Sequence, residues 1–252
     1  MKLNLEGKKH IITSGCSFTN GFTMKEKGAW PYYLSNMLGL KLHNQAMGGQ
    51  GNEYISNSII SYLTMNANLI NECIVGIAWS GMSRLMSPIW DGKWNVLDTV
   101  QPQDFIKGGK YQTNKDASIF FSDVPFCIYK TYMAILNLNN FLEYHNIPYF
   151  YVDAINKTKI DIDIDDKNII KMAGHKNNSI SFNLIDWPYQ YLNVLNSTFN
   201  DKIFNNFLML DNYDSILDFM FTDYEKYEKG NPGHPNDIAS NEVAEMIYKQ
   251  IV

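Results

Sequence analysis

Apolar residues recur along this chain in two alternating periods. Ile11-Ile12 is a short apolar run that ends at Gly15 and reads as a buried strand. From Ala29 to Leu38 the spacing changes. Trp30, Tyr33, Leu34, Met37 and Leu38 recur at helical intervals, and Gly39 closes the segment. Leu40 to His43 predicts a second strand and Asn44 to Gly51 a glycine-rich loop. Glu53 to Met65 returns to helical spacing, with Ile55, Ile59, Ile60 and Leu63 turned inward. Cys73 to Trp79 is wholly apolar, the pattern of a strand covered on both faces. A βαβαβ rhythm of this kind predicts a parallel sheet with right-handed crossovers.

The rhythm then breaks. Met86 to Ser118 holds Trp90, Trp94 and several glycines with little periodicity, so an insertion is expected at 86–120. Val124 to Tyr144 predicts a long helix, and Tyr149 to Ala154, after Pro148, a fourth strand. A second insertion is expected at 156–205. It contains an alternation of isoleucine and aspartate from Ile160 to Asp166 and an aromatic cluster at Trp187, Tyr189 and Tyr191. Phe207 to Leu210 reads as a short strand, and Ala239, Val243, Met246, Ile247 and Ile251 mark a closing helix. Neither a repeat nor a linker interrupts the chain, so 1–252 is expected to be one domain.

Composition narrows the function classes. A chain of 252 residues that is 45% apolar suits one sizeable α/β domain. The formal net charge of -5 argues against a general nucleic-acid binder, which normally carries a basic stripe. No run of eighteen apolar residues is present, so no membrane span is expected. Met1 to His10 lacks the apolar stretch of a secretion signal. The cysteines, Cys16, Cys73 and Cys127, are odd in number and form no CxxC, which reads as reduced thiols in a cytoplasmic protein without structural zinc. The sequence does not speak to oligomeric state.

Candidate chemistry sits at the two ends of the chain. Gly15-Cys16-Ser17-Phe18-Thr19 follows the first strand, and His234-Pro235 opens the closing helix. In an open α/β sheet, strand ends and helix starts share one edge, so these two segments can meet. A serine hydroxyl is a poor nucleophile until a base takes its proton, and an imidazole suits that role near neutral pH. Structural roles are also open to these residues. Ser17 can cap a helix, His234 can sit in a proline-bounded turn, Gly48-Gly49 can be a plain tight turn, and Cys16 can be a small buried filler.

The order of these segments resembles the SGNH (GDSL-like) hydrolase family. Gly15-Cys16-Ser17 looks like its Gly-Asp-Ser block, with Cys16 in place of the aspartate. Asn44-Gln45-Ala46-Met47-Gly48-Gly49 is similar to its second block, whose glycine N–H faces the oxyanion, a role that falls to Gly49. Gly81-Met82-Ser83-Arg84 stands where the family has Gly-x-Asn-Asp, which puts Ser83 at the side-chain donor position; another register would give that role to Ser80. Asn231-Pro232-Gly233-His234 matches the histidine of Asp-x-x-His and offers Asn231 for the aspartate. A neutral amide can orient the ring without stabilising its charge, and Asp223 or Asp237 are alternative carboxylates.

The resemblance implies a flavodoxin-like three-layer α/β/α fold with a mostly parallel sheet and insertions over the strand ends. It also implies a serine-dependent ester hydrolase. Ser17 would attack an acetyl or short acyl ester of a carbohydrate or other small molecule. His234 would be the base, Asn231 its orienter, and Gly49, Ser17 and Ser83 the oxyanion donors. Arg84, Trp90 and Asn52 are candidates for substrate contact. Arg84, the only arginine in the chain, could meet an anionic group or simply reach solvent. Trp90, Trp94, Trp187 and Tyr189 could stack on a sugar or pack an insertion. No cofactor is required. An O-acyltransferase and a catalytically impaired glycan-binding module fit the same blocks. A flavin or nucleotide binder, holding phosphate at Ser14 to Asn20, is the rival at fold level.

Overall fold

Four parallel strands form the central sheet, in the order β2-β1-β3-β6: β1 (His10–Ser14), β2 (Lys41–Asn44), β3 (Cys73–Trp79) and β6 (Tyr149–Asp153). A separate antiparallel ribbon pairs β4 (Leu85–Pro88) with β5 (Leu97–Val100). The computed structural model describes residues 1–21, 28–82, 84–88, 97–100, 124–155, 158, 204–228 and 233–252. Its helices in chain order are α1 (Ser17–Asn20), α2 (Trp30–Leu38), α3 (Asn52–Met65), α4 (Val124–Tyr144), α5 (Ile216–Met220), α6 (Tyr224–Glu228) and α7 (Asp237–Ile251).

Adjacent residues of one strand feed opposite layers. Ile12, Val75, Ile77, Trp79 and Tyr151 face one side, where α3 supplies Ile55, Ile59 and Leu63 and α4 supplies Ile128, Ile135, Leu138 and Leu142. Ile11, Ile74, Ala78, Phe150 and Val152 face the other side. There α2 supplies Trp30 and Leu34, and α7 supplies Val243, Ile247 and Ile251. The sheet is therefore covered on both faces, which is the expected three-layer α/β/α arrangement. It also explains why β3, central and fully buried, carries no polar alternation.

Boundaries follow local chemistry. Helix α2 starts with Pro31 in its first turn and stops at Gly39, which takes a left-handed φ of 67°. Helix α7 starts at Asn236, whose side chain accepts a hydrogen bond from the Ala239 N–H at 3.0 Å. The short strand expected at Phe207 to Leu210 is reduced to single bridges. Phe207 pairs with Tyr151 beside β6, and Leu210 pairs with Tyr213. Among the described residues the segment meets the sheet on the β6 side alone, and Met209 points outward, 58% exposed. The first expected insertion begins with the β4–β5 ribbon rather than with irregular chain. The rest of the first insertion, and the second apart from Thr158, Phe204 and Asn205, lie outside the described residues, and with them Trp90, Trp94, the Ile160 to Asp166 alternation and the Trp187 cluster. Among the described residues no helix is long and apolar enough to cross a membrane.

One histidine chain ties the β2 edge to its neighbours. The His10 Nδ1 lies 3.0 Å from the His43 Nε2, and the Tyr62 hydroxyl lies 2.7 Å from the His43 Nδ1. Burial, then the neighbouring His10 and Lys41, push the His43 pKa below its ordinary value. The folded protein therefore favours neutral His43. This contribution to stability is complete above the unfolded-state pKa of about 6.5 and is lost as pH falls through the lower folded-state value. Urea denaturation at descending pH should show stability falling below about pH 6.5, and His43→Gln should flatten that part of the profile.

A second test concerns the centre of the sheet. Gly76 of β3 stands opposite Phe150 of β6, and the Phe150 ring lies across the space that a Cβ at position 76 would fill. Phe150 itself is pinned from the other side by Trp30, 6.2 Å between ring centroids. Gly76→Ala should cost about 1–3 kcal/mol, measured as a lower denaturation midpoint.

Candidate active site

The chain leaves β1 through Gly15 and turns at once into the short helix α1. Thr19 and Asn20 both donate their N–H to the Cys16 carbonyl at 3.0 Å, and Gly21, with φ 74°, ends the turn. Cys16 occupies the capping position without a side-chain bond and is fully buried, so it fills core. Ser17 is the first helical residue. Its hydroxyl does not cap the helix but points to the far end of the chain, where the His234 Nε2 lies 2.9 Å away. Ser17 is 5% exposed. As the first residue of a helical turn, its own N–H has no intrahelical acceptor.

His234 is held from both sides and on its ring. Gly233 before it has φ 72°, a left-handed conformation that favours glycine, and its N–H donates to the Glu228 carboxylate. Asn236 after it caps α7, donates its side-chain amide to the Lys226 carbonyl at 2.7 Å and its N–H to the Tyr227 carbonyl at 2.9 Å. The Phe18 ring meets the imidazole edge-on at 5.5 Å. Two carboxylates that the sequence left open as partners are placed elsewhere. Asp223 accepts from the Lys226 N–H, and Asp237 lies by Tyr33, whose pKa is raised first by burial and then by that carboxylate. Asn231 lies outside the described residues.

The loop after β2 is tied to the Ser17 turn by side-chain amides. Asn44 donates to the Thr19 carbonyl at 2.9 Å and accepts from the Thr13 hydroxyl and the Ala46 N–H, both at 3.1 Å. Asn20 donates to the Ala46 carbonyl at 2.8 Å, and the Met47 N–H donates to the Gly15 carbonyl at 3.3 Å. Gly49 follows with φ 80° and open space where a side chain would stand. Its need for glycine is thus conformational.

A third group lies at the exit of β3. Ser80 is 1% exposed, and its N–H donates to the Asn52 Oδ1 at 2.8 Å. The Asn52 amide returns bonds to the Ser80 carbonyl and the Thr131 hydroxyl, each at 3.1 Å. Asn52 is itself 1% exposed, so its amide braces α3, β3 and α4 from inside. Arg84 is half-buried and donates from Nη1 to the Ser80 hydroxyl at 3.0 Å. Ser83 and Trp90 lie outside the described residues. Among the described residues no group of three or more His, Cys, Asp or Glu side chains could hold a metal ion.

Sequence reasoning thus located the Ser17–His234 meeting and missed Phe18, Asn20 and Asn236. Only Asn236, a polar residue directly before a helical pattern, carried a readable local signal, that of an N-cap. The other two act through partners distant in sequence.

No family model matches the sequence, and no curated protein matches it. Solved structures do. A protein from Desulfitobacterium hafniense, described as lipolytic and of the G-D-S-L family, superimposes with a TM-score of 0.52 at 11% identity, covering 96% of this chain and 99% of that one. A psychrotrophic esterase from Pseudoalteromonas gives 0.49 at 10% identity, covering 96% of each chain. A protein from Parabacteroides merdae, described as a GDSL-like lipase, gives 0.48 at 10% identity, covering 99% and 98%. The fold of this chain is that of the G-D-S-L protein from D. hafniense, as the sequence resemblance implied.

The first turn of the site has a sharp steric requirement. A Cβ on Gly15 would overlap the Thr19 side chain and come within 3.0 Å of the Ala78 carbonyl. Thr19 has little room to yield, since it is fully buried and accepts a hydrogen bond from the Trp30 indole at 3.3 Å. Gly15→Ala should lower stability by about 1–3 kcal/mol and displace the Ser17 turn. Thermal denaturation reads the first effect, and a slower reaction of Ser17 with an activated phosphonate, measured well below the melting temperature, reads the second.

Proposed function

We propose that this protein is a serine-dependent ester hydrolase that removes an acetyl or short acyl group from a carbohydrate or other small-molecule ester through an acyl-enzyme intermediate. The observation that carries this reading is the 2.9 Å contact between the Ser17 hydroxyl and the His234 Nε2. At that distance an imidazole in the Nδ1–H tautomer accepts the serine proton as the oxygen attacks an ester carbonyl. The alkoxide of the substrate then leaves with the proton returned from His234. Water, activated by the same imidazole, hydrolyses the acyl-serine.

The tetrahedral oxyanion needs donors fixed before the reaction. The Ser17 N–H and the Gly49 N–H are assigned this role, with Ser83 as a side-chain donor. The amide ties from Asn44 and Asn20 support it, because they hold the loop of Gly49 against the turn of Ser17. Ser80 is the alternative donor: its N–H is taken by Asn52, but its hydroxyl oxygen only accepts from Arg84, so its O–H proton is left to donate. Asn231 is assigned to orient His234. An amide fixes ring and tautomer without a counter-charge, so turnover slower than with a full carboxylate triad is expected. Fold likeness by itself does not select a chemistry; the serine–histidine pair is what supports this one.

The test is direct. A fluorophosphonate should label Ser17, and Ser17→Ala should abolish both labelling and hydrolysis of 4-nitrophenyl acetate. His234→Gln should slow hydrolysis by about 10²–10⁴-fold. Equal labelling of the wild type and Ser17→Ala, turnover that survives in Ser17→Ala, or hydrolysis undiminished in His234→Gln, would overturn the assignment.

A further inference from the structure

One cation at the exit of β3 meets no acidic side chain among the described residues. Arg84 is the only arginine in the sequence and is half-buried. Its backbone is fixed. Its N–H donates to the Gly81 carbonyl at 3.1 Å, and its own carbonyl is packed so tightly on Gly51 that no Cβ could stand at position 51. Among the described residues its side chain is anchored at one point, the Nη1 bond to the Ser80 hydroxyl. A guanidinium carries five N–H donors in a planar fork and is always charged. Among the described residues no Asp or Glu carboxylate forms an ion pair with it. By contrast Lys9, Lys130 and Lys226 each meet a glutamate within 3.0 Å.

This fork stands at the same edge of the sheet as the nucleophile. Ser80 directly follows β3, Ser17 lies just beyond β1, and these strands are parallel neighbours with Ser14 opposite Ile77. The main chains touch there as well, since the space beside Gly15 is bounded by the Ala78 carbonyl at 3.0 Å. Gly51, against which Arg84 rests, belongs to the loop that carries Gly49. A half-buried cation is costly to leave without a counter-charge, and a planar donor fork matches a carboxylate in two parallel hydrogen bonds.

We propose that Arg84 docks a carboxylate borne by the substrate, so that the preferred substrates are anionic esters, either hemiesters of dicarboxylic acids or acetylated uronic-acid sugars. This rests on the ester-hydrolase reading of Ser17 and His234 and adds the substrate class to it. Arg84 sets specificity; the bond-breaking steps stay with the serine and the histidine.

The test compares matched ester pairs that differ in one carboxylate. Mono-4-nitrophenyl succinate against 4-nitrophenyl butyrate probes the acyl side, and acetylated methyl glucuronoside against acetylated methyl glucoside probes the alcohol side. In at least one pair the wild type should prefer the anion by about ten- to a hundredfold in kcat/KM, mainly through KM. Arg84→Gln should bring that ratio close to one, and Arg84→Lys should restore it in part, because charge returns without the fork. Added salt should erode the preference. Binding of monomethyl succinate and of methyl glucuronoside to Ser17→Ala, by calorimetry, reads the same site without turnover. Ratios near one in both wild-type pairs, a ratio unchanged in Arg84→Gln, or carboxylate binding no tighter than that of the neutral counterparts would each overturn the proposal. If turnover persists in Ser17→Ala, the hydrolase reading fails instead, and the binding arm still decides whether Arg84 takes a carboxylate.

Discussion

A hydroxyl and an imidazole separated by 217 positions in the chain meet at 2.9 Å, and much of the local structure is arranged to hold that distance. Neither side chain could keep the geometry alone, since an exposed serine and an exposed histidine sample several rotamers each. The sheet fixes the first end. β1 is flanked by β2 and β3 and buried on both faces, so the turn that follows it leaves from a rigid point. The second end is fixed by a brace rather than a strand. Gly233 and Asn236 grip the backbone on either side of His234, and Phe18 closes on its ring. The nucleophile and the residue that packs on its base are thus neighbours in sequence, and a shift of α1 moves both together.

The site is assembled largely by carboxamides. Asn20 and Asn44 join the loops after β1 and β2, Asn52 joins β3 to α3 and α4, and Asn236 anchors the base. An amide offers both a donor and an acceptor with no charge to desolvate. A buried carboxylate in the same places would need a cation or several N–H groups around it. Neutral bracing leaves the electrostatic character of the cleft to other groups, and the proposal above gives part of that role to the Arg84 guanidinium at the β3 exit.

How far the sequence disclosed this depends on what each residue's role requires. β3 was legible to the residue, because a run buried on both faces has no polar position to blur its ends. Helix α2 was legible to within one residue because a glycine with left-handed φ stops it. Ser17 and His234 were legible because their types, their order and their places at element ends form a pattern, although the contact itself is a tertiary fact. The bracing amides were opaque. Asn44 could be seen to end a strand, but two of its partners, Thr13 on β1 and Thr19 in α1, are brought beside it only by the sheet. The segment at Phe207 misled because its apolar pattern is real, while its place at the sheet margin allows only a bridge.

On the proposed reading, the amide of Asn231 and the guanidinium of Arg84 belong to one electrostatic problem. Proton transfer from Ser17 makes His234 cationic while negative charge grows on the substrate oxygen. A family triad offsets the imidazolium with an aspartate, and here the sequence supplies Asn231 at that position. Arg84 adds a second positive charge to the same sheet edge, which favours the oxyanion and opposes the imidazolium. A substrate carboxylate docked on Arg84 removes that opposition at the moment of reaction, since the pair is neutral as seen from the histidine. The base would then work best when an anionic ester is bound. Selectivity would appear partly in the chemical step as well as in binding, without any acidic residue added to the protein.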